Sequence, residues 1–208
     1  GCTTDAAKAL PYCDTSLSHD ARVDDLISRL TLDDLIATIG PDPTHNTCNM
    51  VTKEIPSVGL PRNMWLVETN TGVAASCRAA GVCSTTFIGP NGLAASFNRS
   101  SWFAKGDVIS TEMRAYSNAN CHSQNPHPRT EIGFSGFGPN INIARDPRFG
   151  RNSELPGEDP FLSGQYATEY VNGMQQLDGK GHIKMLAYLK VPPQYSRETN
   201  RGHDTYNI

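Results

Sequence analysis

The sequence predicts an α/β fold with a parallel sheet. Segments with the apolar spacing of helices alternate with short apolar or alternating segments that are typical of strands. The strand candidates are residues 63–68 (NMWLVE), 140–144 (NINIA) and 183–190 (IKMLAYLK). Three strands cannot close a (β/α)8 TIM-type barrel. We therefore expect the chain to form the N-terminal portion of such a barrel, incomplete in this chain.

Two consecutive helices are predicted within residues 20–40. Apolar residues recur there at helical spacing in two runs, and Thr31 with Asp34 resembles a capping box at the start of the second helix. Gly40 is expected to end that helix in a left-handed conformation. Residues 1–20 are interpreted as an N-terminal extension with disulfide-prone cysteines, and residues 21–208 as the first part of the barrel domain.

Two further helices are predicted between and after the later strand candidates. Residues 98–119 have an apolar face, and Asp159 followed by Pro160 predicts an N-cap and a first helical position. The apolar stripe of this last helix is expected at Phe161, Leu162, Tyr166, Tyr170 and Met174. The polar residues 41–63 and 120–133 are predicted to be loops.

Composition excludes some classes of protein. The 208 residues carry a net charge of −3 and are 38% hydrophobic. A nucleic-acid-binding protein would usually show a basic face, so nucleic acid is not expected as a partner. The sequence has no apolar run approaching the roughly 20 residues that a membrane-spanning helix needs.

The cysteines favour an oxidising compartment. Six are present without CxxC spacing. Cys2 and Cys13 could close a short loop, and so could Cys77 and Cys83, although the sequence does not fix the pairing. The sequon at Asn98 predicts glycosylation. A chain that begins at Gly1 without an apolar leader fits a mature secreted, extracellular or lumenal protein.

No metal or other cofactor is predicted. Several cysteines and histidines lie in the polar segments, but their spacing matches no zinc pattern. They are Cys48, Cys121, His45, His122 and His127. We interpret these cysteines as disulfide partners and these histidines as loop residues, not as metal ligands.

Three charged residues are the candidate binding residues, since each ends or follows a strand candidate. They are Glu68, Arg145 and Lys190. In an α/β barrel the carboxyl ends of the strands meet at one rim, so we expect these side chains to converge. A carboxylate accepts strong hydrogen bonds from neighbouring hydroxyls, and the planar guanidinium donates to a pair of them. The alternative for each is a charged residue in solvent.

The rest of the charged loop is interpreted as structural. Packed loops need their buried charges paired. The residues assigned to this network are Arg148, Arg151, Asp146, Glu154, Glu158 and Asp159.

The stretch GPNINIARDPRFGRNSELPGEDP (residues 138–160) resembles a segment of glycoside hydrolase family 3, especially of its β-xylosidase branch. Other stretches are similar in the same order: ARVDDLISRLTLDDLI, GLPRNMWLVETNTGVA, TTFIGPNGLAASFNRSSW, EMRAYSNA and LKVPPQYSRETNRGHD. The resemblance covers about residues 20–208.

The resemblance implies a retaining, exo-acting β-glycosidase of the β-xylosidase or β-glucosidase type. It places Glu68, Arg145 and Lys190 in contact with the sugar. It also implies that the nucleophilic Asp and the acid/base residue lie outside this chain, so no catalytic residue is predicted here. The expected partners are a carbohydrate substrate and a continuation or partner chain that completes the barrel.

The sequence departs from the family pattern at two polar positions. Val191 and Thr71 stand where the family has histidines, and Pro192 and Pro193 follow Val191. The alternative hypothesis is therefore a catalytically inactive glycosidase-like domain that serves as a carbohydrate-binding or structural component of an extracellular assembly.

Overall fold

The computed structural model describes residues 2, 4–42, 44, 51–74, 77–79, 81–120 and 133–190. The predictions made for Cys48, Cys121, the loop histidines and Val191 to Pro193 lie outside these residues. The chain divides into two compact units, residues 1–65 and residues 66–208, which are called here the N-terminal unit and the sheet unit. The division predicted after residue 20 stays a prediction.

The described part of the N-terminal unit forms the helices α1 (Asp5–Lys8), α2 (His19–Ser28) and α3 (Leu32–Ile39). The two helices predicted in residues 20–40 are confirmed, and so is the capping box of Thr31 and Asp34. A disulfide joins Cys2 to Cys13. The Tyr12 hydroxyl donates to the Val58 carbonyl at 2.6 Å. This bond ties the disulfide-closed segment to the short 3-10 turn Pro56–Val58.

The left-handed conformation predicted for Gly40 is wrong. Its backbone is extended, with φ −111° and ψ 165°. The next residue is Pro41, and the proline ring disfavours helical backbone in the residue before it and pushes that residue into the extended region.

The sheet unit is built on a parallel three-stranded sheet in the order β1 (Val67–Glu68), β4 (Ser135–Asn140) and β5 (Leu186–Lys190). The predicted parallel α/β architecture is confirmed. In register, Glu68 lies opposite Phe137, and Asn140 lies opposite Lys190. A small antiparallel hairpin of β2 (Cys77–Ala79) and β3 (Val82–Cys83) carries the disulfide between Cys77 and Cys83.

The strand predicted at residues 140–144 is wrong, because β4 ends where that segment begins. The strand runs instead through a glycine-rich stretch. A side chain at Gly136 would collide with Thr69 and Met174, and one at Gly138 would approach the Thr69 hydroxyl to 2.7 Å. Close packing therefore selects glycine in β4, and the apolar alternation that marks most strands is absent.

The described residues of the sheet unit also form the helices α4 (Pro90–Ala94), α5 (Arg99–Asn120) and α6 (Pro160–Met174). Asp159 caps α6 as predicted, accepting from the backbone N–H groups of Phe161 and Leu162. The core side chains of α5 and α6 are Trp102, Ile109, Met113, Tyr166, Tyr170 and Met174. None of the described helices combines the length and apolar character that crossing a bilayer requires.

Phe161 does not belong to the buried stripe of α6. Its exposed fraction is 69%, whereas Ser163, Tyr166 and Tyr170 are buried. Phe161 lies two residues before Ser163, so it projects about 200° around the helix from the buried face.

Candidate active-site rim

Glu68 and Lys190 meet at one edge of the sheet. Glu68 ends β1 and Lys190 ends β5, and both strands run parallel to β4 between them. The Lys190 Nζ lies 2.6 Å from Glu68 Oε2. Two residues 122 positions apart in the chain therefore form a direct ion pair.

A second carboxylate, that of Glu154, completes the site. It lies in the 3-10 turn Asn152–Glu154, and its Oε2 accepts from Lys190 Nζ at 2.9 Å. Arg151 donates to both of its oxygens, from Nε at 3.0 Å and from Nη2 at 2.9 Å. Asn70 and Asn140 donate their side-chain N–H groups to the same Oε2 at 3.1 and 3.2 Å.

These contacts determine the charge state of Glu154. Burial raises the pKa of its carboxyl, but the hydrogen bonds from Arg151, Lys190 and Asn140 and the charge of Lys190 outweigh burial and lower the pKa to about 2. Glu154 is therefore an anion at any physiological pH. The Lys190 ammonium is shared between two carboxylates.

The loop after β1 links the two carboxylates. The backbone N–H of Asn70 donates to Glu68 Oε1 at 2.8 Å, while the Asn70 side chain reaches Glu154. Behind this loop, the Tyr170 hydroxyl donates to the Thr69 carbonyl at 2.7 Å. The buried residues Thr69 and Asn70 thus connect the rim to helix α6.

Arg145 lies on the loop that leaves β4, five residues beyond the end of the strand. Its side chain donates from Nη1 to Asn142 Oδ1 at 2.7 Å, and Asn142 is fully buried. The residue itself is exposed. Glu68 thus bonds directly to Lys190, whereas Arg145 bonds to the buried asparagine that follows β4.

The loop network predicted as structural divides into two parts. Arg148 pairs with Asp146 in a largely exposed ion pair at 2.7 Å, and Asp159 caps α6. Arg151 and Glu154 form a paired charge of the predicted kind, and Glu154 also accepts from Lys190 at the rim. Sequence reasoning missed Asn70 and Asn140 at the rim, although both positions carried a signal: Asn70 follows Glu68 by two residues, and Asn140 precedes the arginine-rich loop.

The rim is open to a ligand at Glu68. The Glu68 side chain is 41% exposed, whereas the Lys190 side chain is only 13% exposed. A carboxylate acceptor and an ammonium donor side by side can bind neighbouring hydroxyl groups of one ligand. Among the described residues, no cluster of three or more His, Cys, Asp or Glu side chains could hold a metal ion.

Comparison with known proteins points to one group of glycosidases. No family model matches the sequence. The chain is 36% identical over 204 residues to β-xylosidase/α-L-arabinofuranosidase 1 of Medicago sativa subsp. varia, covering 95% of this chain and 24% of that protein. It is 38% identical over 200 residues to β-D-xylosidase 3 of Arabidopsis thaliana, covering 93% of this chain and 23% of that protein.

The structural comparison points to the same group of proteins as the sequence comparison. The solved structure of the GH3 exo-β-xylosidase XlnD, in complex with a xylobiose aziridine probe, superimposes with a TM-score of 0.75 at 30% identity, covering 97% of this chain and 24% of that one. Over nearly its whole length the chain is therefore similar, in sequence and in fold, to one part of a glycoside hydrolase family 3 β-xylosidase.

The family 3 likeness extends to β-glucosidases. The β-glucosidase 3B structure from Thermotoga neapolitana in complex with glycerol superimposes with a TM-score of 0.55 at 26% identity, covering 74% of this chain and 21% of that one. The chain spans about a quarter of the length of the curated relatives it matches. The partial TIM-type barrel predicted from the sequence is confirmed.

Proposed function

We propose that this chain forms the sugar-binding part of a retaining, exo-acting β-glycosidase of the β-xylosidase or β-glucosidase type. The observation that carries the proposal is the direct contact of Glu68 with Lys190 at the carboxyl ends of β1 and β5. A barrel enzyme builds its active site at this end of the strands.

Each rim residue has a distinct role in the proposal. Glu68 accepts hydrogen bonds from two neighbouring sugar hydroxyls, and Lys190 donates to one of them. Arg145 presents a planar pair of donors from the loop after β4. Glu154 keeps Lys190 in place and does not itself contact the sugar, because its carboxylate already accepts from four side chains.

The substrate in this proposal is a terminal β-linked sugar. The similarity to β-xylosidases and to a β-xylosidase/α-L-arabinofuranosidase supports a pentose such as xylose. The β-glucosidase structures keep glucose as the second candidate.

The nucleophile and the acid/base residue are proposed to come from outside this chain, on the continuation that completes the barrel. A retaining glycosidase needs one carboxyl group with a raised pKa as its general acid. The depressed pKa of Glu154, about 2, is the opposite of what that role requires.

The proposed location is secreted, extracellular or lumenal. The disulfides of Cys2 with Cys13 and of Cys77 with Cys83 support an oxidising compartment. Asn98 is exposed just before helix α5, where a glycan on its sequon would be accessible.

The decisive experiment assays the complete protein on aryl β-xyloside and aryl β-glucoside. Glu68→Gln keeps the size of the side chain but removes its charge, so it should lower kcat/KM on the better substrate by about 10- to 100-fold. Glu158→Gln makes the same chemical change at an exposed loop position and should leave kcat/KM unchanged.

Two results would contradict the proposal. Turnover by Glu68→Gln at the wild-type rate would remove Glu68 from the sugar site. No turnover of either substrate at any pH would reject the enzyme and favour the inactive, carbohydrate-binding or structural alternative.

A further inference from the structure

A buried lysine lies directly behind the loop that carries Glu68 and Asn70. Lys105, on helix α5, is completely buried. Its Nζ donates to the Asn70 carbonyl at 2.5 Å, to the Ile88 carbonyl at 3.2 Å and to the Tyr166 hydroxyl at 3.4 Å. Every N–H of the ammonium group therefore has an acceptor.

The acceptors of Lys105 are neutral. Its Nζ also lies 5.9 Å from the centre of the Tyr170 ring. Burial lowers the pKa of Lys105 to about 8, and the negative charge of Glu68 opposes that effect. A site that needed only to be filled would be occupied at lower cost by an apolar side chain of similar length. The buried charge calls for a role beyond packing.

Asn70 connects Lys105 to both rim carboxylates. Its carbonyl accepts from Lys105, its backbone N–H donates to Glu68 Oε1 at 2.8 Å, and its side chain donates to Glu154 Oε2 at 3.1 Å. Asn70 is itself buried. A displacement of its carbonyl would therefore move the donors of both carboxylates.

We propose that Lys105 is a positioning residue for the sugar site: its ammonium group fixes Asn70, and Asn70 holds Glu68 and Glu154 in the geometry that receives the sugar. This inference rests on the proposed function of the rim. It adds a buried residue of helix α5 to a site otherwise built from strand ends and loops.

If Lys105 positions the sugar site, sugar binding should depend on the protonation of Lys105 and therefore on pH. The ionisable groups that face it are Glu68 from the β1 side and Tyr166 and Tyr170 from α6. Burial raises the pKa of both tyrosines, so they stay neutral. Loss of the Lys105 proton removes the charge and one donor, and sugar binding should weaken as the pH rises through about 8.

The test compares Lys105→Met with Lys184→Met in the complete protein. Lys184 is a matched control because it is also largely buried, with 13% side-chain exposure, and bonds to Asp107 and Thr111 of the same helix. The readouts are the Kd for xylose and for glucose, measured by calorimetry, and the crystal structure of each variant.

Lys105→Met should raise the Kd for the sugar that binds by about tenfold or more, with Asn70 displaced from Glu154, whereas Lys184→Met should leave both unchanged. An unchanged Kd in Lys105→Met with Asn70 in its original place would overturn the inference. If Lys105→Met does not fold, the wild type decides: a Kd that stays constant from pH 7 to about 9.5 overturns the inference.

A failure of the proposed function gives a different result. In that case the wild type binds neither xylose nor glucose. The position of Asn70 in the Lys105→Met structure, or in wild-type crystals at pH 7 and about 9.5, then still shows whether Lys105 fixes it.

Discussion

Glu154 shows how one residue acquires its charge state from its neighbours. Because the pKa of its carboxyl in the folded protein, about 2, lies below its ordinary value of 4.5, its contribution to stability is complete above about pH 4.5 and is lost as the pH falls towards 2. The full shift corresponds to at most about 3 kcal/mol of unfolding free energy.

We therefore predict that Glu154→Gln lowers the stability at pH 7 and flattens the loss of stability between pH 5 and pH 2.5. The measurement is denaturant unfolding of the complete protein across this range. Glu158→Gln, at an exposed position of the same loop, should keep the wild-type slope. Equal slopes for Glu154→Gln and the wild type would contradict the hydrogen-bonded anion described here.

A substitution at Arg145 separates the effect of donor geometry on sugar binding from the effect of charge. Arg145→Lys keeps the positive charge but replaces a planar fork of donors by a single ammonium group. If Arg145 grips two neighbouring hydroxyls, KM should rise by about tenfold with a smaller change in kcat. Arg148→Lys, at an exposed position three residues further along, is the control. A KM unchanged in Arg145→Lys would place Arg145 outside the sugar site.

At the scale of elements, glycine sets the contact between α5 and α6. A side chain at Gly106 would overlap the backbone of Tyr170 and lie 2.9 Å from the Met174 nitrogen. At Gly164, on the exposed side of α6, an added methyl group meets nothing within 4 Å. Both glycines lie in helices, but only Gly106 packs against the backbone of a neighbouring helix.

Gly106→Ala should therefore destabilise the protein by about 1–3 kcal/mol, because backbone atoms must move to admit the methyl group. Gly164→Ala should stabilise it by about 0.5–1 kcal/mol through lower chain entropy in the unfolded state. Thermal unfolding of both variants of the complete protein provides the measurement. A neutral Gly106→Ala would mean that the helices are further apart than described.

The elements also show what the sequence could and could not predict. Local signals sufficed where they act within one turn, as in the capping box at Thr31 and the N-cap at Asp159. The position of β4 could not be read locally. Its glycines are selected by Thr69 and Met174, which are distant in the chain, and the alternating Asn and Ile that follow are a loop.

At the scale of the whole molecule, one face of the sheet carries large apolar side chains that the described residues leave partly exposed. Gly136 and Gly138 pack towards the helices, so the residues that alternate with them face the other way. Phe137 meets Tyr188 there at a ring distance of 5.5 Å, and Leu186 on the same face is 51% exposed. We propose that the remaining strands of the barrel cover this face.

The 208-residue chain alone should therefore bind a hydrophobic dye and self-associate, because exposed apolar surface and unpaired strand edges promote association. The complete protein, at equal concentration, should do neither. Size-exclusion chromatography with light scattering and dye fluorescence measures both properties. A monodisperse monomer of this chain without dye binding would contradict the proposal that a continuation or partner completes the barrel.

The candidate sugar site could be predicted from the sequence only in part. Glu68, Arg145 and Lys190 are predicted to converge because parallel strands end at one rim. The ion pair of Glu68 with Lys190 agrees with that reasoning, and the place of Arg145 in the site stays a prediction. Their roles towards a sugar stay predictions. Lys105 could not be predicted, since a lysine in the middle of a helix gives no sign of burial until the elements around it are placed.

A crystal structure of the complete protein with bound xylose would show whether Glu68 and Lys190 hold the sugar. We expect the hydroxyl groups of one sugar ring to accept from the Lys190 ammonium and to donate to the Glu68 carboxylate, both within about 3.2 Å. A xylose bound elsewhere, with the contact between Glu68 and Lys190 undisturbed, would contradict this expectation.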